Sequence, residues 1–374
     1  MNIPFNIPYV IGSELARLQE AIVSRKLCGG GSFGKACEAK LEAMLGQGKA
    51  LMTTSCTDAL EICAALLNIA PDDEIIVPSF TFVSSVNPFV IRGARIKFVD
   101  ISFPSLNSSF DQIVEAISPK TKAIVVVNYG GGATGDLKKI RELCDDHGIL
   151  LIEDAAQSIQ ATCEKMPLGT FGHFSCFSFH ETKNIQCGEG GALVVNEASY
   201  VDRAEIIREK GTNRNNFLKG LVDKYTWVDL GSSHIPSELN SAFLLEQLNH
   251  TQQIIHERRK VWEEYRAACD LYELEYLKFS NNIEHNAHIF AVFAPSVEVR
   301  DHVMRSLREK GIQTVFHYIP LHTSPFGKRV GSFVGNDIYT TSLSNRLIRL
   351  PIYPDLQNGV PTLVINHIAS LIHV

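Results

Sequence analysis

The chain has 374 residues, of which 45% are hydrophobic and 20% are charged, and its formal net charge is -6. This composition is typical of a folded globular protein, and the length fits two or more lobes. The negative net charge argues against a general nucleic-acid binder, and no apolar stretch is long enough for us to expect membrane insertion.

The cysteines argue for a reducing environment. Nine are present, an odd number, and they are scattered without a repeated Cys-x-x-Cys spacing. The chain also begins without a charged and apolar signal segment. We therefore expect reduced thiols in a cytoplasmic protein, with no disulfide framework and no metal site.

Between residues 49 and 196, short apolar and β-branched runs alternate with helix-like segments. Near-continuous apolar runs of this length are typical of strands that are buried on both faces of a mainly parallel sheet. The predicted strands are Glu74–Val77, Ile96–Val99, Ala123–Val127 and Ile149–Ile152. The pattern therefore predicts an α/β lobe, doubly wound around its sheet.

After residue 196 the pattern becomes helical and then mixed. The predicted elements are helices at Tyr200–Lys210 and Ser237–Cys269, a strand at His288–Phe293, a helix at Val297–Lys310 and a strand at Gln313–Tyr318. We place the lobe boundary near residue 250, which gives a large domain over 1–250 and a small α+β domain over 251–374.

The first candidate for chemistry lies in the segment Met52–Leu60, which is typical of a strand, a tight polar turn and a helix. Ser55 or Thr57 would cap that helix, and Cys56 lies between them. Free backbone N–H groups at a helix start favour a phosphate, although an ordinary N-cap explains the same residues.

Two further candidates follow predicted strands. Asp154 closes the strand Ile149–Ile152, where a carboxylate points into the cleft of an open α/β sheet and could keep a pyridine nitrogen protonated. Phe82 follows the strand Glu74–Val77 and could lie flat against an aromatic cofactor. Taken singly, a helix cap and a core aromatic are the simpler interpretations.

Lys183 lies between the apolar run Phe174–Phe179 and the glycine cluster Gly188–Gly191. A lysine held at the end of a strand can lie at the floor of a cleft, where desolvation lowers the pKa of its amine and makes it a nucleophile for Schiff-base chemistry. Most loop lysines are solvated instead, so the case for Lys183 depends on its combination with Asp154, Phe82 and the Ser55–Thr57 turn.

Five motifs occur in one order along most of the chain: Pro78–Phe82, Gly93-Ala94 with Phe98–Asp100, Glu153–Gln157, Ser178–Lys183 with Gly188–Gly191, and His317–His322. In this set the chain resembles the sugar aminotransferases of the pyridoxal-phosphate-dependent fold type I class. The resemblance implies a large domain with a central, mainly parallel seven-stranded sheet between helices, an N-terminal arm over 1–13, and a homodimer with shared active sites.

The resemblance also implies a role for each matching residue. Lys183 would carry pyridoxal 5'-phosphate covalently and shuttle a proton. The remaining cofactor contacts would come from Asp154 at the pyridine nitrogen, Gln157 near the ring hydroxyl, Phe82 on the ring face, and Ser178 with the Ser55-Cys56-Thr57 turn at the phosphate. The sugar nucleotide would lie near His317, Tyr318 and His322.

Two positions depart from the family pattern. Many relatives give an asparagine across the dimer to the cofactor phosphate, where this chain has Ser233. The Ser55-Cys56-Thr57 turn also replaces a glycine-threonine pair, so contacts there would rely more on backbone N–H groups and hydroxyls.

Within the family the chain most resembles members that make dTDP-4-amino-4,6-dideoxygalactose for surface polysaccharides of the enterobacterial-common-antigen type, notably through Phe179–Asn184, Arg208–Arg214, Asp223–Trp227 and Asn286–His288. The implied partners are L-glutamate and a dTDP-linked 4-keto-6-deoxy sugar.

Several alternatives stay open at this stage. Amination at C3, or of another dTDP or UDP sugar, depends on details that the motifs do not specify. A sugar dehydratase is disfavoured because the resembling dehydratases have histidine at the position of Lys183. An oxidoreductase would want Gly-x-Gly-x-x-Gly after the first strand, which is missing here, and a non-catalytic nucleotide-sugar-binding regulator is the remaining alternative.

Overall fold

The computed structural model describes residues 2–372. Met1 of the predicted arm and residues 373–374 of the predicted small domain lie outside the described residues. The strands, numbered in chain order, are β1 Lys49–Thr53, β2 Glu74–Pro78, β3 Arg95–Val99, β4 Thr121–Val127, β5 Leu150–Asp154, β6 Thr162–Cys163, β7 Met166–Pro167, β8 Phe174–Ser178, β9 Gly191–Val195, β10 Ile283–Glu284, β11 Phe290–Phe293, β12 Gly331–Phe333 and β13 Leu347–Leu350.

The α-helices are α1 Glu14–Ser24, α2 Ser32–Leu45, α3 Cys56–Leu66, α4 Asn87–Ile91, α5 Phe110–Ala116, α6 Leu137–His147, α7 Val201–Arg208, α8 Arg214–Leu218, α9 Glu238–Asn249, α10 Thr251–Leu271, α11 Val297–Glu309, α12 Gly327–Val330, α13 Thr340–Arg346 and α14 Val360–Ile372. In residues 2–372, no helix combines the length and the apolarity needed to cross a membrane.

The central sheet has eight strands in the order β1-β9-β8-β5-β4-β2-β3-β12. All run parallel except β9, which is antiparallel to both neighbours. The mainly parallel α/β architecture is thus confirmed, and seven of the strands come from residues 1–250. The predicted number is wrong by one, because β12 adds an eighth strand from the C-terminal part of the chain and its Gly-Ser-Phe sequence has no apolar run.

The buried strands of the large lobe follow the predicted runs closely. Residues at both faces of β2, β4 and β5 are buried, which explains why each strand contains a continuous apolar run instead of alternating apolar and polar residues. The predicted strand Gln313–Tyr318 is absent as a strand. Only Val315 forms an isolated bridge, to Arg349, and the predicted helical stretch Ser237–Cys269 is broken at His250.

Glu153 fixes the end of β5 from one side of the sheet. Its side chain is fully buried and accepts five hydrogen bonds, from the backbone N–H groups of Gly169 (2.9 Å), Phe171 (2.7 Å) and Gly172 (2.7 Å), from Asn128 Nδ2 (3.0 Å) and from Ser175 Oγ (3.3 Å). Successive side chains of a strand point to opposite faces, so this anchoring also sets the direction of the next residue, Asp154.

A second hydrophobic core holds the C-terminal lobe. It brings together α10, α11 and α14 around the antiparallel pair β11–β13. The N-terminal segment crosses between the two lobes: Ile3 bridges to Ile312, while the backbone carbonyl of Tyr9 accepts hydrogen bonds from Gln186 and Gln247. The segment therefore ties the small lobe to the large one.

Candidate functional site

The carboxyl ends of the parallel strands open into a cavity of about 510 Å³. Such an edge is where open α/β sheets bind ligands. Ten of the eleven residues predicted for the site line this cavity: Ser55, Cys56, Thr57, Phe82, Asp154, Gln157, Ser178, Lys183, His317 and Tyr318. They come from the ends of four strands, β1, β2, β5 and β8, and from the C-terminal lobe, so the cavity lies between the lobes.

His322, the eleventh residue, is not part of the cavity lining. Its backbone N–H donates to Ser79 Oγ at 3.1 Å, and its Nδ1 lies 2.6 Å from the same oxygen. Its Nε2 lies 3.2 Å from Asp337 Oδ2. Both ring nitrogens therefore have partners within the chain, and the contact of His322 with a sugar nucleotide stays a prediction.

The turn before α3 offers an anion site made mainly of backbone. Ser55 Oγ is engaged in its own turn, because it accepts from Asp58 N at 3.0 Å and donates to Asp58 Oδ2 at 2.9 Å. A Cβ on Gly191 would lie 2.4 Å from Cys56 N, so only glycine lets β9 approach the turn this closely. Within residues 2–372, the first N–H groups of α3 are then free for an anion, and the hydroxyl of Thr57, which donates to Ser84 Oγ at 2.8 Å, lies beside them.

His234 supports this turn from a distant part of the sequence. Its carbonyl accepts from Thr54 N at 2.8 Å, and its Nδ1 lies 2.8 Å from Asp58 Oδ1. Burial raises the pKa of the Asp58 carboxyl, but hydrogen bonds from His234, Thr54 and Ser55 outweigh burial and hold it below its usual value. The Asp58 carboxylate is thus ionised, and its oxygens are bound to Thr54, Ser55 and His234.

Asp154 is buried at the cavity edge. Ser85 Oγ donates to its Oδ2 at 2.6 Å, Ala156 N donates to its Oδ1 at 3.2 Å, and Thr81 Oγ1 lies 2.7 Å from Ser85 Oγ. Burial raises the pKa of the Asp154 carboxyl above its usual value, against the hydrogen bonds from Ser85 and Ala156 and the charge of Lys183. Hydrogen bonds thus fix the direction of the carboxylate, but they do not fully offset the cost of burying its negative charge.

Lys183 follows β8 in a turn closed by its backbone N–H to His180 O at 2.9 Å. Desolvation lowers the pKa of its amine, an effect that Cys56 and Asp154 oppose and the charge of Arg349 strengthens. Within residues 2–372 its Nζ has no hydrogen-bond or ion-pair partner. The amine is therefore uncommitted within the described chain, and its predicted role as a nucleophile stays a prediction.

Aromatic and amide groups form the wall opposite α3. Gln157 accepts from Gly130 N at 2.8 Å and donates to Tyr318 OH at 3.1 Å. The ring of His317 stacks on Tyr318 with 3.7 Å between centroids, and its Nδ1 lies 2.6 Å from Tyr129 OH. Burial, with the charges of Arg349 and Lys183, keeps the pKa of His317 well below its usual value, so the ring is neutral.

Phe82 lies at the mouth of the cavity and is 54% exposed. Its ring centroid is 6.1 Å from that of Tyr318, with 39° between the planes. One aromatic face is therefore available to a ligand, which an interior core residue would not offer.

The C-terminal lobe adds three basic cavity residues that were not predicted from the sequence: Arg258, His288 and Arg349. Arg258 donates from Nε to Ala287 O at 3.1 Å and from Nη2 to His288 O at 2.8 Å, and burial, followed by the charge of Arg349, lowers its pKa to about 9. The sequence does mark Arg349, because it is a charged residue within the otherwise apolar run Leu347–Leu350 of β13.

The tautomer of His288 follows from its neighbours. Asn184 Nδ2 donates to Asn286 O at 2.9 Å, so Asn184 Oδ1 faces His288 Nδ1, also at 2.9 Å. Nδ1 must therefore carry the proton, which leaves Nε2 as an acceptor. Burial lowers the pKa of His288 well below its usual value, so the ring remains neutral beside Lys183.

This donor set fits pyridoxal phosphate, the cofactor that the sequence motifs imply. The cavity supplies an amine with a lowered pKa at Lys183, a buried carboxylate at Asp154, a helix start flanked by the hydroxyls of Thr57 and Ser178, and the exposed ring of Phe82. Each of these groups matches a different part of the cofactor, namely its aldehyde, ring nitrogen, phosphate and ring face.

Comparison with known proteins gives a consistent result. Residues 9–369 match the profile of a family described as the DegT/DnrJ/EryC1/StrS aminotransferase family. The GDP-perosamine synthase of Vibrio cholerae is 31% identical over 357 residues, which are 95% of this chain and 95% of that protein.

Solved structures share the fold along the whole chain. The aminotransferase TlmJ from Streptoalloteichus hindustanus is 27% identical with a TM-score of 0.91, over 100% of this chain and 99% of that one. The E. coli GDP-4-keto-6-deoxy-D-mannose-3-dehydratase with bound hydrated PLP has a TM-score of 0.87 at 23% identity, over 100% and 99% of the two chains. The second likeness concerns the fold alone.

Proposed function

The chain belongs to the DegT/DnrJ/EryC1/StrS aminotransferase family and depends on pyridoxal 5'-phosphate, and from this premise we propose that it transfers the amino group of L-glutamate to the C4 ketone of dTDP-4-dehydro-6-deoxy-glucose. The products would be 2-oxoglutarate and dTDP-4-amino-4,6-dideoxygalactose. One C–N bond breaks at the α-carbon of glutamate and one forms at C4 of the sugar. The water released when the ketone is aminated balances the water taken up by the glutamate carbon.

The observation that supports this proposal most is the meeting of the Lys183 amine and the Asp154 carboxylate in one cavity with the start of α3. When bound, pyridoxal phosphate supplies an electron sink that allows an amino group and a ketone to exchange. We assign its aldehyde to Lys183, its ring nitrogen to Asp154 and its phosphate to Thr57, Ser178 and the N–H groups of α3. Phe82 would cover the ring face and Gln157 its hydroxyl side.

Lys183 also suits the proton transfers. In the first half-reaction a proton leaves the α-carbon of glutamate. In the second half-reaction a proton is added to C4 of the sugar. A lysine Nζ whose pKa is lowered by desolvation can accept such a proton and return it on the same face. The pKa values of His288 and His317 lie well below their usual value, so both rings are weak bases and the Lys183 amine is the favoured one.

The sugar nucleotide is assigned to the wall formed by His317 and Tyr318, with His322 as a more distant contact. The Vibrio cholerae relative is named GDP-perosamine synthase, and this name favours a GDP-linked keto sugar as a second candidate substrate. Amination at C3, or of a UDP-linked sugar, would use the same residues.

We further propose a homodimer with shared active sites. Large apolar side chains are exposed around the segment 217–230, with Trp227 exposed to 78%, and Phe82 at the cavity mouth is also uncovered in the single chain. Ser233 lies exposed at the end of this segment, where it bridges to Glu209, outside the cavity of its own chain. A second subunit would cover these residues and bring Ser233 toward the neighbouring cofactor phosphate. Light scattering of the purified protein should give twice the chain mass.

The test is product analysis by NMR after the purified holoenzyme is incubated with L-glutamate and a panel of dTDP-, GDP- and UDP-linked keto sugars. We expect a 4-amino galacto product from the dTDP-4-keto sugar and one equivalent of 2-oxoglutarate. Amination of the GDP-linked sugar alone would replace the dTDP assignment with the second candidate. A deoxygenated product without new nitrogen would contradict transamination, and so would the failure of the holoenzyme to release 2-oxoglutarate from L-glutamate.

A further inference from the structure

Arg349 has an unusual electrostatic position. It lies on β13, where its backbone N–H and C=O both bond to Val315 (2.8 and 3.3 Å) and Ala291 is its partner on β11. Its side chain reaches the cavity. Among residues 2–372, none of its guanidinium nitrogens has a hydrogen-bond or ion-pair partner, and Nε is buried without one. A rigid strand thus delivers an uncompensated cation to the site.

Two other arginines with little exposure, Arg208 and Arg258, do have acceptors in the chain, although the Nε of Arg208 is also buried without one. Arg208 forms a 2.5 Å ion pair with Glu38, and Arg258 donates to two backbone carbonyls. Arg349 is half-buried, and its Nε is shielded from water without an acceptor, which is unfavourable because this N–H group has lost water and gained no partner. Burial accordingly lowers the pKa of Arg349. An anionic ligand would remove this penalty, whereas residues 2–372 place no anionic side chain against the guanidinium.

The surroundings of Arg349 define which edge is free. Phe5 covers one face of the guanidinium, with 4.9 Å between Cζ and the ring centroid. The other groups that sense its charge are the neutral Tyr129, Tyr318, His288 and His317, together with Arg258 and Lys183. No carboxylate is among them. With one face covered, the N–H edge remains, and its planar fork matches the two oxygens of a carboxylate.

The two substrates of a sugar aminotransferase carry their negative charge in different places. In an amino acid, the α-carboxylate is attached to the same carbon as the reacting nitrogen. In a nucleotide-linked 4-keto sugar, the diphosphate is attached at C1, across the ring from the reacting carbon. Arg349 and Lys183 line the same cavity, and the charge of Arg349 adds to the lowering of the pKa of the Lys183 amine. Its charge is therefore felt at the reacting end of the cavity, where only the carboxylate would lie.

From the unpartnered fork, its rigid strand and its place at the reacting end, we infer that Arg349 is the receptor for the α-carboxylate of the amino-acid donor. This inference rests on the proposed transamination, but it does not depend on which sugar is aminated. Arg258 adds a second positive charge to the same part of the cavity while remaining tied to the backbone.

The test compares Arg349→Gln with the wild type in the donor half-reaction, which needs no sugar. Holoenzyme is mixed with L-glutamate, and the release of 2-oxoglutarate is followed in a single turnover. Loss of a charged, two-pronged contact should weaken glutamate use by about 10- to 100-fold. Arg349→Lys, which keeps the charge without the fork, should recover part of the loss. Arg346→Gln is the matched control, because Arg346 lies outside the cavity lining.

A change in the substrate makes the test specific for the carboxylate. L-isoglutamine has an uncharged amide in place of the α-carboxylate, so wild type should use it poorly. In Arg349→Gln the difference between L-glutamate and L-isoglutamine should shrink at least about fivefold, since the two changes remove one and the same interaction. Calorimetric titration of the holoenzymes with 2-oxoglutarate should show a matching loss of affinity in the variant without any turnover.

Two results would overturn the inference. The first is an unchanged preference for L-glutamate over L-isoglutamine in Arg349→Gln. The second is a variant in which KM for the sugar nucleotide rises and glutamate use does not, which would assign Arg349 to the diphosphate. If Arg349→Gln does not fold, Arg349→Lys and the wild-type preference between the two donors carry the same test. A wild type that releases 2-oxoglutarate but aminates no sugar would contradict only the proposed sugar.

Discussion

Two buried regions of this molecule handle charge in opposite ways. Around Glu153, on one side of the sheet edge, the chain supplies five hydrogen-bond donors to one carboxylate. In the cavity on the other side, the amine of Lys183 and the guanidinium of Arg349 have no hydrogen-bond or ion-pair partner in residues 2–372. A charge that the chain satisfies holds the fold together. A charge that the chain leaves unsatisfied is available to a ligand.

Replacing Lys183 should have the largest effect on activity, because its amine is the least committed group of the cavity. We expect Lys183→Ala to lower turnover more than about a thousandfold and to abolish the visible absorption of the lysine-bound cofactor. Folding should be unaffected, since the amine makes no hydrogen bond. The measurement is a steady-state assay with an absorption spectrum, and exposed Lys35→Ala is the control. Full activity in Lys183→Ala would contradict the contrast between the two regions.

Asp154 is intermediate between Lys183 and Glu153, because its carboxylate accepts two hydrogen bonds from the chain whereas that of Glu153 accepts five. Asp154→Asn keeps its shape but removes the charge assigned to the cofactor ring nitrogen, and should lower kcat by about 100- to 1000-fold. A loss below about threefold, measured on protein that retains its cofactor, would show that the charge has no part in the reaction.

The raised pKa of Asp154 adds a prediction about pH. A carboxyl whose pKa is higher in the folded state than in the unfolded one stabilises the fold below its unfolded pKa, and this contribution is lost as pH rises through the folded pKa. After removal of the cofactor, Asp154→Asn should therefore become more stable relative to wild type as the pH rises from acid toward neutrality. Urea unfolding across that range measures the difference, and a constant difference would contradict the shift.

Glu153 should behave as a structural charge. Glu153→Gln would turn an NH₂ group toward buried N–H donors and leave them unpaired, which should lower the free energy of unfolding by about 2 to 4 kcal/mol. Chemical unfolding measures this loss, and Glu142→Gln on the exposed face of α6 is the matched control. Wild-type stability in Glu153→Gln, combined with a changed KM, would reverse the assignment of the two regions.

His317 and His322 belong to one sequence motif but differ in how many hydrogen-bond partners the chain gives them. We expect replacing them to have the smallest effects of this series. His322 has partners at both ring nitrogens, whereas His317, which lines the cavity, has one at Nδ1 only in the part of the chain that the structure describes. We expect His317→Gln to raise KM for the sugar nucleotide by about tenfold and His322→Gln by less than about threefold. Equal changes of KM in the two variants, measured in steady-state assays, would show that the number of hydrogen-bond partners does not distinguish a substrate-binding histidine from a structural one.

Local sequence patterns predicted the features that depend on neighbouring residues. The strand ends that carry Asp154 and Lys183 could be read from apolar runs and glycines, because a buried parallel strand needs an apolar sequence throughout. Arg258, His288 and Arg349 reach the cavity from three separate elements of the C-terminal lobe, so no short pattern links them to Lys183. His317 and His322 are five positions apart in the sequence, but only folding separates a cavity residue from one bound to Ser79 and Asp337.

The short strand β12 has a consequence for how the protein can be divided. The chain leaves the large sheet, builds most of the small lobe, and then returns to place Gly331–Phe333 beside β3. A fragment that stops at the predicted boundary near residue 250 would leave β3 as an open edge, and open edges recruit strands from other chains. Fragments for expression should therefore keep both lobes, which we expect to melt as one cooperative unit.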